Sequence, residues 1–121
     1  MKTFEYAVLR AVPRVERGEL ANIGVIVYSQ DHDFLAASVH VDAARLQARD
    51  AEVDVDAVCA AVEAVQAVCE GRGPAAAGTK GERFRWLTAP RSTIVQPGPV
   101  HAGITDSPQA ELEHLLDRLV R

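Results

Sequence analysis

The apolar run at residues 20–28 constrains the fold of this chain more than any other segment. Ile23, Val25 and Val27 stand at every second position, which is the period of a β-strand, and we expect all three to face one core. Gly24 stands on the opposite side of this strand and predicts a bulge or the close approach of another backbone. The run therefore predicts a strand with one buried side.

Further strand-like runs surround this segment. Residues 4–12 end before a proline and residues 34–41 follow a polar turn at 30–33, so the first third of the chain predicts an antiparallel meander. Residues 84–87 and 92–105 can supply one or two more strands, broken at prolines. The sequence thus predicts four to five strands.

Three segments have the signals of helices. Asp42 can cap a short helix, and residues 54–69 carry apolar side chains at steps of three and four after an aspartate. Residues 106–120 begin with a capping side chain and a proline, and continue with a stripe of leucines. We expect two main helices, formed by the second and third of these segments.

These elements predict an α+β fold, in which an antiparallel sheet of four to five strands has both main helices packed on one face. A chain of 121 residues can bury one core, so we expect a single domain over residues 1–121. No run approaches the roughly 18 apolar residues of a membrane span. The formal net charge of -4 argues against a general electrostatic affinity for nucleic acid.

The cysteines and histidines predict neither a disulfide nor a metal site. Cys59 and Cys69 are ten positions apart in one expected helix, which separates them by about 15 Å, whereas a disulfide needs Cα atoms within about 7 Å. Reduced thiols indicate a cytoplasmic protein. No pair of cysteines or histidines has the short spacing of a zinc site, so we predict no metal and no cofactor.

A first cluster of candidate binding residues lies in a segment rich in arginine and hydroxyl groups. Arg85 and Arg91 can donate forked hydrogen bonds to a phosphate or carboxylate, and Ser92 can add a hydroxyl donor. If this segment is a strand, Phe84 and Trp86 share one side and anchor it, while the arginines stay outside. The alternative interpretation is structural: one arginine extends over the sheet, another pairs with Glu82 or with the acidic helix, and Trp86 fills the core.

A second cluster of candidates surrounds the first hairpin. Arg10, Glu19 and Asn22 flank apolar strands, and a polar amide such as Asn22 in a central strand must find a hydrogen-bond partner. His101 lies close in sequence to the arginine-rich segment and can donate to an anion, while the simpler explanation is a structural hydrogen bond. Our hypothesis is that the two clusters meet on one side of the sheet.

The chain also resembles a known family in several segments. They are residues 6–13, residues 17–19 with 22–25, residues 84–87 with 91–92, and the final capped helix. Together they are similar to the bacterial family labelled domain of unknown function 3037. The resemblance implies no established activity. It implies one association, because genes of this family often lie beside those of HipA-like kinases.

Two functions from different classes remain open. The first is a non-enzymatic interaction or regulatory module, with a HipA-like kinase as its partner. The second is a small enzyme or ligand sensor for a phosphorylated metabolite or nucleotide, in which Arg85 and Arg91 hold the anion and Glu19 or His101 handles a proton. Because no complete catalytic set is recognisable in the sequence, we favour the module.

Overall fold

The structure, a computed structural model, describes residues 1–12, 21–91 and 93–121. Within that part of the chain, an antiparallel sheet is combined with four helices. The strands are β1 (Lys2–Ala11), β2 (Ala21–Ser29), β3 (Phe34–Val39), β4 (Val95–Pro97) and β5 (His101–Thr105). The helices are α1 (Ala43–Arg49), α2 (Val55–Cys69), α3 (Lys80–Thr88) and α4 (Pro108–Leu119), with a 3₁₀ turn at Pro74–Ala76 before α3.

The sheet has the order β3-β2-β1, and the free side of β1 pairs with both β4 and β5. All pairs are antiparallel, so the predicted meander and the α+β class are confirmed. Residues 92–105 contain two strands, as expected, and residues 30–33 form the predicted turn. The expected polar link at residues 14–18 lies outside the described residues.

The backbone at Gly24 has both features that this glycine predicts, a bulge and a close approach to the neighbouring strand. The pairing of β1 with β2 passes from Leu9 opposite Gly24 to Arg10 opposite Asn22, which leaves Ile23 as the extra residue of a bulge. A Cβ on Gly24 would lie 2.9 Å from the carbonyl oxygen of Ser38 in the neighbouring strand. The bulge and the close backbone approach are therefore both present.

Buried side chains form a separate cluster on each face of the sheet. The α2–α3 cluster includes Ile26 of β2, Val58 of α2 and Phe84 of α3. The α4 cluster includes Val25 of β2 and Leu112 of α4. The expectation that both main helices pack on one face is therefore wrong, because β2 is a central strand whose two sides are both apolar.

The bulge also changes which residues of β2 share a face. Val25 and Val27 belong to the α4 cluster, as alternation predicts, but Ile23 belongs to the α2–α3 cluster. The extra residue interrupts the two-residue period of the strand. The expectation that all three residues share a face is therefore wrong for Ile23 and holds for Val25 and Val27.

Side-chain caps begin the three helices that the sequence predicts. Asp42 accepts a hydrogen bond from the Arg45 backbone N–H at 3.1 Å, and Asp54 accepts one from Ala57 at 2.9 Å. Ser107 caps α4, with Pro108 in its first turn. Each cap satisfies one of the backbone donors that the start of a helix leaves free.

The segment around Phe84 is a helix, and the predicted strand at residues 84–87 is wrong. Thr79 and Glu82 form a capping box, in which the Thr79 hydroxyl accepts from the Glu82 N–H at 3.1 Å and Glu82 Oε1 accepts from the Thr79 N–H at 3.0 Å. Helical spacing buries Phe84 and Leu87 together. It leaves Trp86 51% exposed, so Trp86 neither fills the core nor shares a side with Phe84.

Cys59 and Cys69 are free thiols, as their spacing predicts. In the described ranges, no helix is both long and apolar enough to cross a bilayer.

Candidate functional site

An apolar groove of about 380 Å³ lies between α2, α3 and β4. We call it the α2–α3 groove. It is lined mainly by small and apolar side chains, with two arginines among the lining residues. These residues are Ala61, Ala64, Val65, Ala67, Val68, Arg72, Gly73, Pro74, Trp86, Leu87, Arg91, Thr93 and Val95.

The two helices place complementary side chains along this groove. Ala61, Ala64, Val65 and Val68 recur at steps of three and four, so they follow one face of α2. The position of Trp86 is set by the helical turn of α3. Phe84 and Leu87 face the core, so the side chain of Trp86 between them points outward. The short side chains of α2 and the large indole of α3 give the groove its depth.

Arg91 is held against Trp86 by three contacts. Its guanidinium lies 4.9 Å from the centre of the indole ring, donates to the Trp86 carbonyl oxygen, and donates to the Ala89 carbonyl oxygen at 3.4 Å. A cation over an aromatic face is favourable by about 0.5–1 kcal/mol at an exposed site. These partners orient the guanidinium but carry no negative charge to neutralise it.

Arg72, the other arginine of the groove, has a different environment. It forms an ion pair with Glu70 at 2.6 Å, and both side chains are exposed. An exposed pair of this kind contributes little to stability. It does neutralise the arginine, so Arg91 is the better candidate to receive an anionic group in the groove.

A second groove, of about 360 Å³, lies between α3 and the sheet and is more polar. We call it the β1–α3 groove. Arg85 and Glu5 form an ion pair across it at 2.7 Å, and the hydrogen bond that the guanidinium donates to the Glu5 carboxylate is the main reason that the pKa of Arg85 is raised. Tyr28 and Asp31 also line it. Arg85 is thus already paired within the protein.

Arg85 and Arg91 therefore belong to different grooves. Arg85 lines the β1–α3 groove and Arg91 lines the α2–α3 groove. The two guanidinium groups do not line a common pocket, so they are not placed to hold one anion together as expected. Ser92, which was expected to help hold that anion, lies outside the described residues.

The candidates from the first hairpin lie on the opposite face of the sheet. Arg10 stands between Leu9 and Ala11, which both belong to the α2–α3 cluster, so its side chain points to the α4 face. Asn22 pairs with Arg10 in the sheet, and its amide donates to the Leu119 carbonyl oxygen at 3.0 Å. This hydrogen bond gives Asn22 a structural role at the end of α4.

His101 also lies on the α4 face. It pairs with Tyr6 between β5 and β1, and the two ring centres are 5.2 Å apart. Glu19 lies outside the described residues. The structure thus separates Arg10, Asn22 and His101 from Arg85 and Arg91, so the members of the two predicted clusters that the structure describes do not meet at one site.

Within the part of the chain that the structure describes, no three histidine, cysteine or acidic side chains come together to bind a metal ion.

The α2–α3 groove is the feature that sequence reasoning missed. Its signal was present in the Thr79 and Glu82 pair, which has the spacing of a capping box and predicts a helix where the aromatic alternation favoured a strand.

Comparisons with known proteins give a family and no nearer relative. A family model described as "Protein of unknown function (DUF3037)" matches residues 6–120. No curated protein and no solved structure matches the chain.

Proposed function

Since the family match spans residues 6–120, the chain belongs to the DUF3037 family, and we propose that this member is a protein-interaction module that binds a partner through the α2–α3 groove. The family description states no activity, so the support for this function comes from the groove. Binding of this kind requires no chemical step, and the proposed module is non-enzymatic.

The half-exposed indole of Trp86 beside an apolar groove carries this function. A tryptophan with 51% of its surface in water leaves a large apolar area available for burial by another molecule. Tryptophan and arginine are also enriched among the residues that dominate binding energy at protein interfaces. Here Trp86 and Arg91 are in direct contact.

The lining of the groove defines the chemistry of a suitable partner segment. The alanines of α2 leave space for a protruding aliphatic or aromatic side chain, and Trp86 can cover it. A carboxylate beside that side chain can pair with Arg91, whose described polar contacts are carbonyl oxygens. The groove therefore fits a segment that presents a large apolar residue next to Asp or Glu.

The proposed partner is a HipA-like kinase, on the basis of the family resemblance. The proposed compartment is the cytoplasm, where thiols such as Cys59 and Cys69 stay reduced. In this arrangement the module contributes a fixed docking surface, since α2 and α3 are both anchored in the buried cluster of the sheet.

The alternative function is a sensor for a phosphorylated metabolite or nucleotide. One observation favours it, namely the guanidinium of Arg91 beside the groove without a carboxylate among its described contacts. The ion pair of Arg85 with Glu5 weakens this alternative, because a two-arginine site would require that pair to break and its arginine to leave another groove.

Purified proteins can distinguish these functions. We expect the HipA-like kinase to bind the wild-type chain in isothermal titration calorimetry, and Trp86→Ala and Arg91→Ala each to weaken binding by roughly tenfold or more, as for a hot-spot residue. Arg118→Ala is the matched control, because Arg118 is exposed on α4, away from the groove, and its loss should leave the affinity unchanged.

Two results would count against the proposed function, one against the groove and one against the partner. Equal binding by the wild-type chain and both groove variants would show that the kinase uses another surface, and no binding by the wild-type chain would remove the kinase as the partner. A rise in melting temperature with inorganic phosphate or ATP that disappears in Arg91→Ala would instead favour the sensor.

A further inference from the structure

Strand β5 lies at an open edge of the sheet. It pairs with β1 from Lys2 opposite Thr105 to Tyr6 opposite His101. In the described ranges, no strand pairs with its other side. Alternate N–H and C=O groups of an edge strand point away from the sheet, where they can pair with another strand.

Exposed apolar side chains concentrate at this same edge. Ile104 is 62% exposed, Val100 directly before β5 is 39% exposed, and Met1 at the start of the neighbouring strand is 79% exposed. Among the described residues, these are three of the four large apolar side chains that are exposed, and the fourth is Trp86. The edge of β5 is thus a second apolar surface, separate from the α2–α3 groove.

Charged residues, which commonly prevent strands from pairing at an edge, are absent from residues 97–105. The opposite edge of the sheet differs. There, the Lys80 ammonium binds the carbonyl oxygen and the carboxylate of Asp33, each at 2.9 Å, directly before β3. An extended strand can therefore approach residues 101–105 without meeting an acidic or basic side chain within β5 itself.

We propose that β5 pairs antiparallel with β5 of a second copy of this chain, so that one sheet continues through both. A two-fold axis perpendicular to the sheet reverses the strand direction and keeps each face of the sheet on its own side. Pairing centred on Gly103 places Ala102 of each copy opposite Ile104 of the other. A small residue then faces a large one twice, and no charged residues oppose each other.

Gly103 itself suits the centre of such a pairing. A Cβ at this position would lie 2.8 Å from the ring of Phe4, so the ring occupies the space that a side chain would need. The same register brings Val100 of each copy opposite Asp106 of the other. Asp106 is bound to the amino group of Met1 at 3.1 Å, which places the start of β1 beside this end of the pairing.

Sedimentation velocity over a range of concentrations tests this pairing. We expect the wild-type chain to dimerise as its concentration rises, and Ile104→Lys to raise the dissociation constant of the dimer by at least about tenfold. Ala60→Lys is the control, because it adds the same charge at an exposed position of α2 outside both grooves and should leave the dimer intact. Circular dichroism shows whether both variants remain folded.

Hydrogen exchange then locates the interface. Amides of residues 101–105 should exchange more slowly at high protein concentration than at low concentration in the wild-type chain, and not in Ile104→Lys. A wild-type chain that stays monomeric throughout would overturn the proposal, as would a dimer that Ile104→Lys leaves unchanged or whose protected amides lie elsewhere. Neither result concerns the α2–α3 groove, so the proposed function is tested separately.

Discussion

Truncating Phe84 and truncating Trp86 should have very different effects on stability, although the two residues are neighbours on α3. Phe84 is completely buried and stacks on Tyr28 with ring centres 5.2 Å apart. A Phe→Ala change in such a site typically lowers the free energy of unfolding by about 3–5 kcal/mol, because it removes apolar contacts and leaves a cavity. We expect Phe84→Ala to fall in this range.

Trp86→Ala should lower the free energy of unfolding by less than about 2 kcal/mol. Half of the indole is already in water, so its removal exposes little new apolar surface. The lost cation–π contact with Arg91 contributes about 0.5–1 kcal/mol at an exposed site. The losses of the two variants should therefore differ by at least about 1 kcal/mol.

Urea denaturation followed by circular dichroism at 222 nm measures both values. If Phe84→Ala is unfolded in buffer, Phe84→Leu keeps part of the side chain and makes the comparison measurable. The contrast depends on the helix, because in a strand residues 84 and 86 would lie on the same side and would be buried or exposed together. Equal losses for the two variants would contradict the helical account of this segment.

Three other features give expected outcomes. Hydrogen bonds from the Thr79 N–H and hydroxyl hold the pKa of Glu82 below its ordinary value. The stability that this carboxylate contributes is therefore present above its pKa in the unfolded chain and is lost as pH falls through its pKa in the folded protein. Glu82→Gln should remove this pH dependence from the free energy of unfolding measured by urea denaturation. Burial raises the pKa of Cys69 to about 12, so iodoacetamide at neutral pH should modify Cys59 first, as peptide mass spectrometry will show, and equal labelling would argue against the buried thiol. Gly24→Ala should lower the free energy of unfolding by about 1–3 kcal/mol, because its Cβ would meet a β3 carbonyl oxygen at 2.9 Å. An unchanged midpoint in urea denaturation would mean that β2 and β3 separate easily at this position.

Most of the secondary structure follows from local signals in the sequence. Asp42, Asp54 and Ser107 cap helices because their side chains accept the first free backbone N–H groups, and this chemistry depends on neighbours only three residues away. The meander is equally local, since short polar turns join alternating apolar runs. These elements could therefore be predicted without knowledge of the fold.

The segment of α3 shows where two local signals compete. The aromatic residues Phe84 and Trp86 favour a strand by their propensity and their alternate positions. The reciprocal hydrogen bonds of Thr79 and Glu82 favour a helix, and packing of Phe84 with Leu87 stabilises it. The capping signal stands among the glycines of residues 71–81, a composition that favours a loop over a helix.

The candidate site depends on information that one sequence does not contain. Whether Arg10 and Arg91 share a side depends on which side of β1 Arg10 faces and on which face of the sheet is covered by α3 and the segment that follows it. The two apolar sides of β2 indicate that both faces of the sheet are covered, but they do not indicate which helix covers which face. The groove beside Trp86 arises only when α2, α3 and β4 are brought together by the whole fold.

The single tryptophan offers the most direct test of the interaction surface. In a ¹⁵N-labelled sample, the indole N–H of Trp86 gives one separate NMR signal that reports from the α2–α3 groove itself. On titration with the unlabelled HipA-like kinase, we predict that this signal shifts or broadens in proportion to complex formation. A complex that forms while the indole signal stays unchanged would contradict the proposed role of the groove.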